Sequence, residues 1–266
     1  MRSVLVLAIA LLALPLVAAG CKGGGGGGGE EARAIEDAVM AAAAAYADGD
    51  LDAFRAAFTD DGIVDLFDLD AEDLDAFLEF LPEVIGEDPP VISTFDNTEV
   101  DGDTGSTDAT TAQTGLVVVD RFHVMKDGDD WIIDGVDHSV STPDLDGYST
   151  TGLGMDEFSY DFDAGELSPG KVAFELENVG EQSHEALLVS LEDDVDLEEA
   201  ITSVEQPEGV EVIASVEVEA GESGDMVLAE ELEAGRYAFI CFLADEDDPQ
   251  ATPHAFLGQT ADFRIE

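Results

Sequence analysis

The segment Gly235-Arg-Tyr-Ala-Phe-Ile-Cys241 is the clearest strand in the second half of the sequence, and it ends on a cysteine. Further short segments on both sides of it have the same β-rich character, and serine, proline and glycine turns separate them. The strands we expect are 158–162, 172–176, 187–190, 210–218, 224–229, 237–243 and 261–265, with a short helix or acidic loop within 191–203. Short strands with such turns predict an all-β sandwich over residues 152–266.

Chemically distinctive residues border these strands. Asn178-Val-Gly-Glu-Gln-Ser-His184 directly follows one strand, and Cys241 ends another. Pro253-His254 comes before Gly258-Gln259 and the last strand. The chain has only 2 cysteines and 4 histidines, so their placement at strand ends is informative.

This order of motifs resembles the cupredoxin (plastocyanin-like, type 1 copper) family. The resemblance implies that His184, Cys241 and His254 are equatorial copper ligands and that Gln259 takes the axial position. A thiolate, two imidazoles and a weak axial donor suit an ion that cycles between Cu(I) and Cu(II). Copper is therefore the cofactor we expect, and one-electron transfer to a redox partner protein is the expected function.

The sequence departs from that family in two respects. Gln259 stands where the family has a methionine, and an amide oxygen is a harder donor that favours Cu(II). His254 follows Cys241 by thirteen residues, whereas blue copper sites have a few. The acidic insertion either loops out and returns His254 to Cys241, or it leaves the site open. Other interpretations are a buried inert thiol, a zinc site, or a sandwich that has lost its copper.

Residues 31–141 have a different pattern, with helices first and strands afterwards. The helical segments are 31–47, one that begins after Asp50, and Ala71–Leu81 before Pro82. The strands are Thr110–Thr114, Leu116–Met125 and Trp131–Asp137. A hairpin turn at Lys126-Asp-Gly-Asp129 joins the last two, with Asp-Gly supplying positive φ angles.

Three motifs carry a second resemblance: Tyr46-Ala-Asp-Gly-Asp-Leu-Asp-Ala-Phe54, Phe58-Thr-Asp-Asp-Gly62 and Lys126-Asp-Gly-x-x-Trp131-Ile-Ile-Asp134. They resemble the nuclear-transport-factor-two-like (SnoaL-like) superfamily. The resemblance implies an α+β cone-like domain with a pocket, which the superfamily uses in enzymes, binding proteins and dimerisation modules alike. A homodimer through this domain is one expectation, and the fold alone does not give the function.

Two residues of this domain could support catalysis. His123 and Asp134 lie on neighbouring candidate strands, and a His–Asp pair can do acid–base chemistry. A histidine on a strand is more often a solvent-facing or hydrogen-bonded residue, so an enzyme is the less favoured interpretation. His138 follows the last strand and is expected in a surface loop.

The first thirty residues are typical of an export signal and a tether. Met1-Arg2 precedes an apolar run at 3–17, and Ala18-Ala19-Gly20-Cys21 resembles a lipobox. The resemblance implies a lipoprotein signal peptide at 1–20 and lipidation of Cys21, although an uncleaved membrane anchor is the alternative. Residues 21–30 are rich in glycine and predict a flexible tether. The expected location is the extracytoplasmic face of the cell membrane.

The composition excludes some partners. The chain of 266 residues has 63 acidic and 9 basic residues, with a formal net charge of −54. Nucleic acid is excluded as a partner because phosphate binding needs clustered lysine and arginine. Anionic lipid headgroups are excluded as an electrostatic partner for the same reason. The hydrophobic content of 45% is enough for packed domains, and we interpret the acidic surface as halophilic.

The sequence thus predicts an α+β cone-like domain, a linker at 142–151 and an all-β cupredoxin-like sandwich. The favoured function is copper binding on a membrane-tethered lipoprotein. The alternative is a metal-free binding or interaction lipoprotein, with a small-molecule pocket in the α+β domain and a structural sandwich.

Overall fold

The computed structural model describes residues 28–203 and 207–266. They form two compact units. The first contains the residues through Gln113 and Val118–Ser141, and the second contains Thr114–Val117 and Thr142–Glu266. The predicted signal peptide and Cys21 lie outside the described residues. Within the described ranges, no helix has the length and apolar character needed to cross a membrane.

Helices make up the first part of the first unit. They are α1 (Gly28–Ala47), α2 (Leu51–Ala56), α3 (Asp60–Leu66), a 3-10 turn (Ala71–Asp73) and α4 (Leu74–Val84). Two of these helices begin at side-chain caps. The Asp50 carboxylate, just before the second predicted helix, accepts a hydrogen bond from the Ala53 N–H, and the Thr59 hydroxyl accepts one from the Gly62 N–H.

Four strands follow in the order β1-β2-β3-β4 across one sheet. Their bounds are β1 (Val91–Asp101), β2 (Thr104–Gln113), β3 (Leu116–Asp127) and β4 (Asp130–Asp137). Large apolar side chains from the helices and the sheet form one core. It includes Ile35, Val39, Phe54, Phe58, Ile63, Leu81, Phe122, Val124, Trp131 and Ile133. The α+β architecture predicted for this part of the chain is confirmed.

Details of this unit differ from the prediction. Helix α1 begins at Gly28, so its first turn lies inside the segment 21–30 that was predicted as a tether. Helix α4 continues past Pro82 to Val84, and the Ile85 N–H closes the last turn on the Leu81 carbonyl. In the β3–β4 hairpin only Gly128 takes a positive φ, 69°, so the loop is Gly128-Asp129 rather than Asp127-Gly128.

Helix α3 was not predicted, because its apolar residues are few and its first turn is acidic. Gly62 explains how this short helix packs on the sheet. A Cβ at Gly62 would lie 2.5 Å from the Ile133 carbonyl oxygen of β4, so only glycine allows this approach.

The second unit consists of two four-stranded sheets, in the orders β10-β7-β5-β6 and β12-β11-β8-β9. Strands β5 and β7 pair in parallel, and the other described pairs of this unit are antiparallel. The bounds are β5 (Ser149–Asp156), β6 (Ser159–Asp161), β7 (Val172–Asn178), β8 (His184–Leu191), β9 (Val210–Val218), β10 (Ser223–Val227), β11 (Gly235–Ile240) and β12 (Thr260–Ile265), with α5 (Leu197–Thr202) and α6 (His254–Leu257). This is the cupredoxin-like sandwich that the sequence predicts.

An aromatic core fills the space between the two sheets. Phe239 of β11 lies with its ring centroid 5.0 Å from that of Phe174 on β7 and 5.5 Å from that of Phe263 on β12. Aligned sheets of a sandwich interlock their inner faces in this way. The core therefore fixes β8 and β11, the two strands that lead to the candidate metal centre.

Strand β5 was missed, and part of the predicted linker belongs to it. The linker was expected at 142–151, but β5 begins at Ser149 and pairs with β7 from Val172 onwards. The Ser-Thr-Thr sequence at this point is compatible with both a loop and a strand. Only the parallel neighbour, distant in sequence, selects the strand.

Candidate metal centre

Three separate segments bring His184, Cys241 and His254 together. His184 is the first residue of β8, Cys241 directly follows β11, and His254 is the first residue of α6. Antiparallel pairing of Ile240 with Leu187 sets the end of β11 beside the start of β8. All three side chains are fully buried.

The long insertion after Cys241 loops out and returns. Ala244 and Pro253 form a β-bridge, and the Asp245 N–H donates to the Thr252 carbonyl over 2.9 Å. The His254 N–H then donates to the Leu243 carbonyl over 2.8 Å. These bonds close the neck of the loop, so the thirteen-residue spacing still delivers His254 to Cys241.

The potential ligand atoms face one another. His184 Nδ1 lies 3.2 Å from His254 Nδ1, and His254 Nδ1 lies 3.4 Å from Cys241 Sγ. Atoms bound to one ion at about 2.0–2.3 Å lie roughly 3–4 Å apart. The separations therefore suit a shared metal ion, and one cysteine with two histidines is a ligand set that copper and zinc sites use.

Gln259 lies beside this triangle, and its side chain partly offsets the lowering that burial imposes on the pKa of His184 and His254. It is fully buried, and neither amide atom makes a hydrogen bond of normal distance and angle. Its backbone is tied to the site, because the Gln259 N–H donates to the His254 carbonyl and the Cys241 N–H donates to the Gln259 carbonyl. A buried amide without partners is costly unless a ligand satisfies it. This position fits a weak axial donor.

Gly180 leaves the space that the His184 ring occupies. A Cβ at Gly180 would lie 2.5 Å from Glu157 Oε1 and 2.8 Å from His184 Nε2. His184 Nε2 lies 3.7 Å from Glu157 Oε1 and makes no hydrogen bond. The glycine of the Asn178-Val-Gly segment therefore serves the close packing of the first histidine.

Burial decides the protonation of the three side chains. Burial lowers the pKa of His184, and burial together with the neighbouring His184 lowers the pKa of His254. Both imidazoles are therefore neutral at neutral pH and have a lone pair to offer. Burial raises the pKa of Cys241 to about 11, so the thiol keeps its proton until a metal displaces it.

Backbone N–H groups oppose that effect at the sulfur. The Glu185 N–H donates to Cys241 Sγ over 3.3 Å, and the backbone of Leu243 also lowers the pKa of this thiol. The Glu185 carboxylate in turn accepts from the Phe242 N–H over 3.2 Å and from the Ser215 hydroxyl over 2.7 Å. Glu185 thus fixes the backbone on which Cys241 sits.

The candidate catalytic pair of the first unit is not assembled. His123 Nε2 lies 2.8 Å from the Asp137 carboxylate, not from Asp134. Asp134 is at the bulge between β3 and β4, and it accepts a hydrogen bond from the Thr59 hydroxyl. The bulge places one extra residue opposite β3, which displaces Asp134 from His123. The less favoured interpretation of His123 and Asp134 as an acid–base pair is therefore not supported by their positions.

His138 lies in a turn after β4, as predicted, and contacts one carboxylate and one backbone carbonyl. Its Nδ1 is 3.4 Å from an Asp120 carboxylate oxygen, and its Nε2 is 2.9 Å from the Asp65 carbonyl. The hydrogen bond to Asp120 raises the pKa of His138 to about 9.

Three residues around the metal centre were missed by the sequence analysis: Glu157, Gln182 and Glu185. Gln182 lies within the Asn178–His184 segment, and Glu185 directly follows a predicted ligand. Acidic side chains are so common in this chain that Glu157 and Glu185 gave no signal by type, and nothing in the sequence connects Gln182 with the insertion loop. Only the contacts with the ligands single them out.

The second unit is a β-sandwich that resembles a cupredoxin sandwich, with a buried His-Cys-His cluster. The first unit is a SnoaL-like domain, because residues 30–141 match the SnoaL-like domain family. The comparison with curated proteins found no match.

Solved structures resemble each half of the chain. A dithionite-reduced auracyanin from Roseiflexus castenholzii is 19% identical, with 44% of this chain and 97% of that chain covered and a TM-score of 0.30. Auracyanin A, a "blue" copper protein from Chloroflexus aurantiacus, is 19% identical, with 45% and 100% covered and a TM-score of 0.32. An NTF2-like protein of unknown function from Shewanella baltica is 16% identical, with 42% and 96% covered and a TM-score of 0.31. The description as a "blue" copper protein belongs to auracyanin A and is not transferred to this chain by the comparison.

Proposed function

We propose that this protein binds one copper ion through His184, Cys241 and His254 and uses it for one-electron transfer. The observation that carries the proposal is the buried triangle of two imidazole nitrogens and one sulfur, with separations of 3.2 and 3.4 Å. Neutral imidazoles and a displaceable thiol proton prepare these side chains for a metal. When bound, copper supplies the one-electron redox couple.

The chain itself contributes rigidity and shielding. The ligands come from two paired strands and a closed loop, so their positions need not change when the oxidation state changes. The aromatic rings on the site's edge include Phe158, whose centroid lies 5.1 Å from that of His254. Such surroundings exclude water from the ligand atoms, and the buried amide of Gln259 offers a weak fourth donor.

The two cysteines allow a matched test. Cu(II) is added to the purified wild-type protein and to the Cys241→Ser and Cys21→Ser variants, and visible absorption is recorded. We expect an intense thiolate-to-copper band in wild type and Cys21→Ser and none in Cys241→Ser. A folded wild-type protein without the band, or one that takes up zinc in preference to copper, would contradict the electron-transfer proposal.

We also propose that a lipid on Cys21 holds the protein at the extracytoplasmic face of the membrane, where it meets a redox partner. The support is the sequence of the first thirty residues alone. The same pair of variants tests it: Cys21→Ser is expected in the soluble fraction, while Cys241→Ser stays with the membrane. Cys21→Ser that remains membrane-bound would contradict lipid anchoring.

The halophilic surface and self-association through the SnoaL-like domain remain proposals. The net charge of −54 predicts that added salt raises the melting temperature by screening repulsion. A melting temperature that does not change with salt would contradict the halophilic surface.

Self-association through the SnoaL-like domain is tested by analytical ultracentrifugation. A monomer at every protein concentration would contradict it.

A further inference from the structure

Gln182 is a buried residue two positions before His184, and its side chain makes three contacts that the copper proposal does not use. It is 8% exposed. Its Nε2 donates to Asp245 Oδ1 over 3.0 Å, and its Oε1 accepts from the Glu246 N–H over 2.8 Å. The same Oε1 lies 3.3 Å from His254 Nε2. One side chain thus contacts the base of the long insertion and the second histidine.

Chemistry fixes the orientation of this amide. The Asp245 carboxylate can only accept a hydrogen bond and the Glu246 N–H can only donate one. With the amide of Gln182 reversed, its oxygen would face the Asp245 carboxylate and its NH2 group would face the Glu246 N–H, so neither contact could be a hydrogen bond. The atom that faces His254 Nε2 is therefore the amide oxygen, and His254 Nε2 must be the nitrogen that bears the proton.

This assignment leaves the lone pair of His254 on Nδ1, the atom that faces His184 and Cys241. A metal-binding histidine is commonly oriented in this way by a partner on its other nitrogen. The backbone of Gln182 is held as well, because its N–H donates to Glu157 Oε1 over 3.2 Å.

We propose that Gln182 is a positioning residue that clamps the insertion loop and holds His254 in the tautomer required for metal binding. The inference rests on the proposed copper site. It also explains how a loop of this length can present a ligand as firmly as a short one. The clamp acts at the neck of the loop, on Asp245 and the adjacent Glu246, and the tautomer is set at His254.

The test compares Gln182→Met, which has similar volume but no hydrogen bonds, with Gln182→Glu, which keeps the acceptor. Gln250→Met is the matched control, because Gln250 is an exposed glutamine of the same loop. The protonated nitrogen of His254 is identified by ¹⁵N NMR of the metal-free proteins. Cu(II) affinity and hydrogen exchange of residues 245–252 are then measured on the same samples.

We expect Nε2–H in wild type, Gln182→Glu and Gln250→Met, and a mixture of tautomers in Gln182→Met with about 10–100-fold weaker Cu(II) binding. Both Gln182 variants should exchange faster at the loop, since both lose the bond to Asp245. An unchanged tautomer in folded Gln182→Met, or loss of the Nε2–H form in folded Gln182→Glu, would overturn the proposal.

The readouts separate this inference from the copper proposal. A wild-type protein that binds no copper, but whose His254 tautomer changes in Gln182→Met, would contradict the copper site and support the role of Gln182. A Gln182→Met variant that binds copper with wild-type affinity and keeps the wild-type tautomer would support the copper site and contradict the role of Gln182. Should Gln182→Met fail to fold, loss of the Nε2–H form in folded Gln182→Glu, or loop exchange there as slow as in wild type, would still overturn the proposal.

Discussion

Buried polar groups are treated differently in the two units of this protein. In the SnoaL-like unit, the buried Asp108 carboxylate accepts from Arg121 over 2.6 and 2.9 Å and from Asn97 over 2.8 Å. In the sandwich, the equally buried amide of Gln259 has no hydrogen bond. Since an unsatisfied buried group lowers stability, the difference indicates where a protein reserves donors for a ligand.

The distribution of unsatisfied atoms supports that interpretation. Among the described residues, four buried side-chain nitrogen or oxygen atoms lack a partner, and three of them belong to His184 and Gln259. The fourth is the Thr111 hydroxyl of β2. The unsatisfied atoms therefore concentrate around the metal centre, and among them the Gln259 amide oxygen has a lone pair to offer a bound ion.

The largest expected change in stability comes from truncating a large side chain in the hydrophobic core of one unit. Phe54 is buried against Phe58 at a centroid distance of 4.8 Å, and Phe54→Ala should lower the free energy of unfolding of the first unit by about 3–5 kcal/mol. Denaturant unfolding followed by circular dichroism measures this change.

The copper band distinguishes the two cores. It should survive Phe54→Ala and be lost in Phe239→Ala, because Phe239 packs beside the strands that carry the ligands. Equal loss of the band in both variants would show that the site depends on the cores of both units, which would contradict the assignment of the site to the second unit alone.

A smaller effect of opposite sign is expected at Gln259. Gln259→Met removes two unsatisfied polar atoms and keeps the volume, so it should stabilise the metal-free protein by about 1–3 kcal/mol. Denaturant unfolding of the metal-free protein measures it, with Gln250→Met as the exposed control, expected within about 0.5 kcal/mol of wild type. A destabilised Gln259→Met would mean that the amide is satisfied after all.

The smallest effect concerns His138, whose side chain is 43% exposed. Its pKa is raised from 6.5 to about 9 by the hydrogen bond to Asp120. The stabilisation is therefore complete below pH 6.5 and is lost as the pH rises through 9. NMR titration should give this pKa directly.

The matched variant His138→Gln should flatten the pH dependence of unfolding between pH 6.5 and 9. A pKa near 6.5 for His138 in the wild-type protein would contradict its ion pair with Asp120.

Local patterns predicted most of the elements and the ligand set, whereas contacts between distant residues decided the rest. Cys241 and His254 were identifiable because rare residue types fall in the ligand order that the resemblance to the cupredoxin family implies. Strand β5 and the bulge at Asp134 depend on neighbours far away in the sequence. Gln182 could not be recognised before its bonds to Asp245 and His254 were known.

The most direct test of the central claim is X-ray absorption spectroscopy at the copper edge of the copper-loaded protein. The account predicts one sulfur and two imidazole nitrogens at the bond lengths of about 2.0–2.3 Å usual for such ligands. A copper environment of nitrogen and oxygen without sulfur would place the ion away from Cys241 and contradict the proposed site.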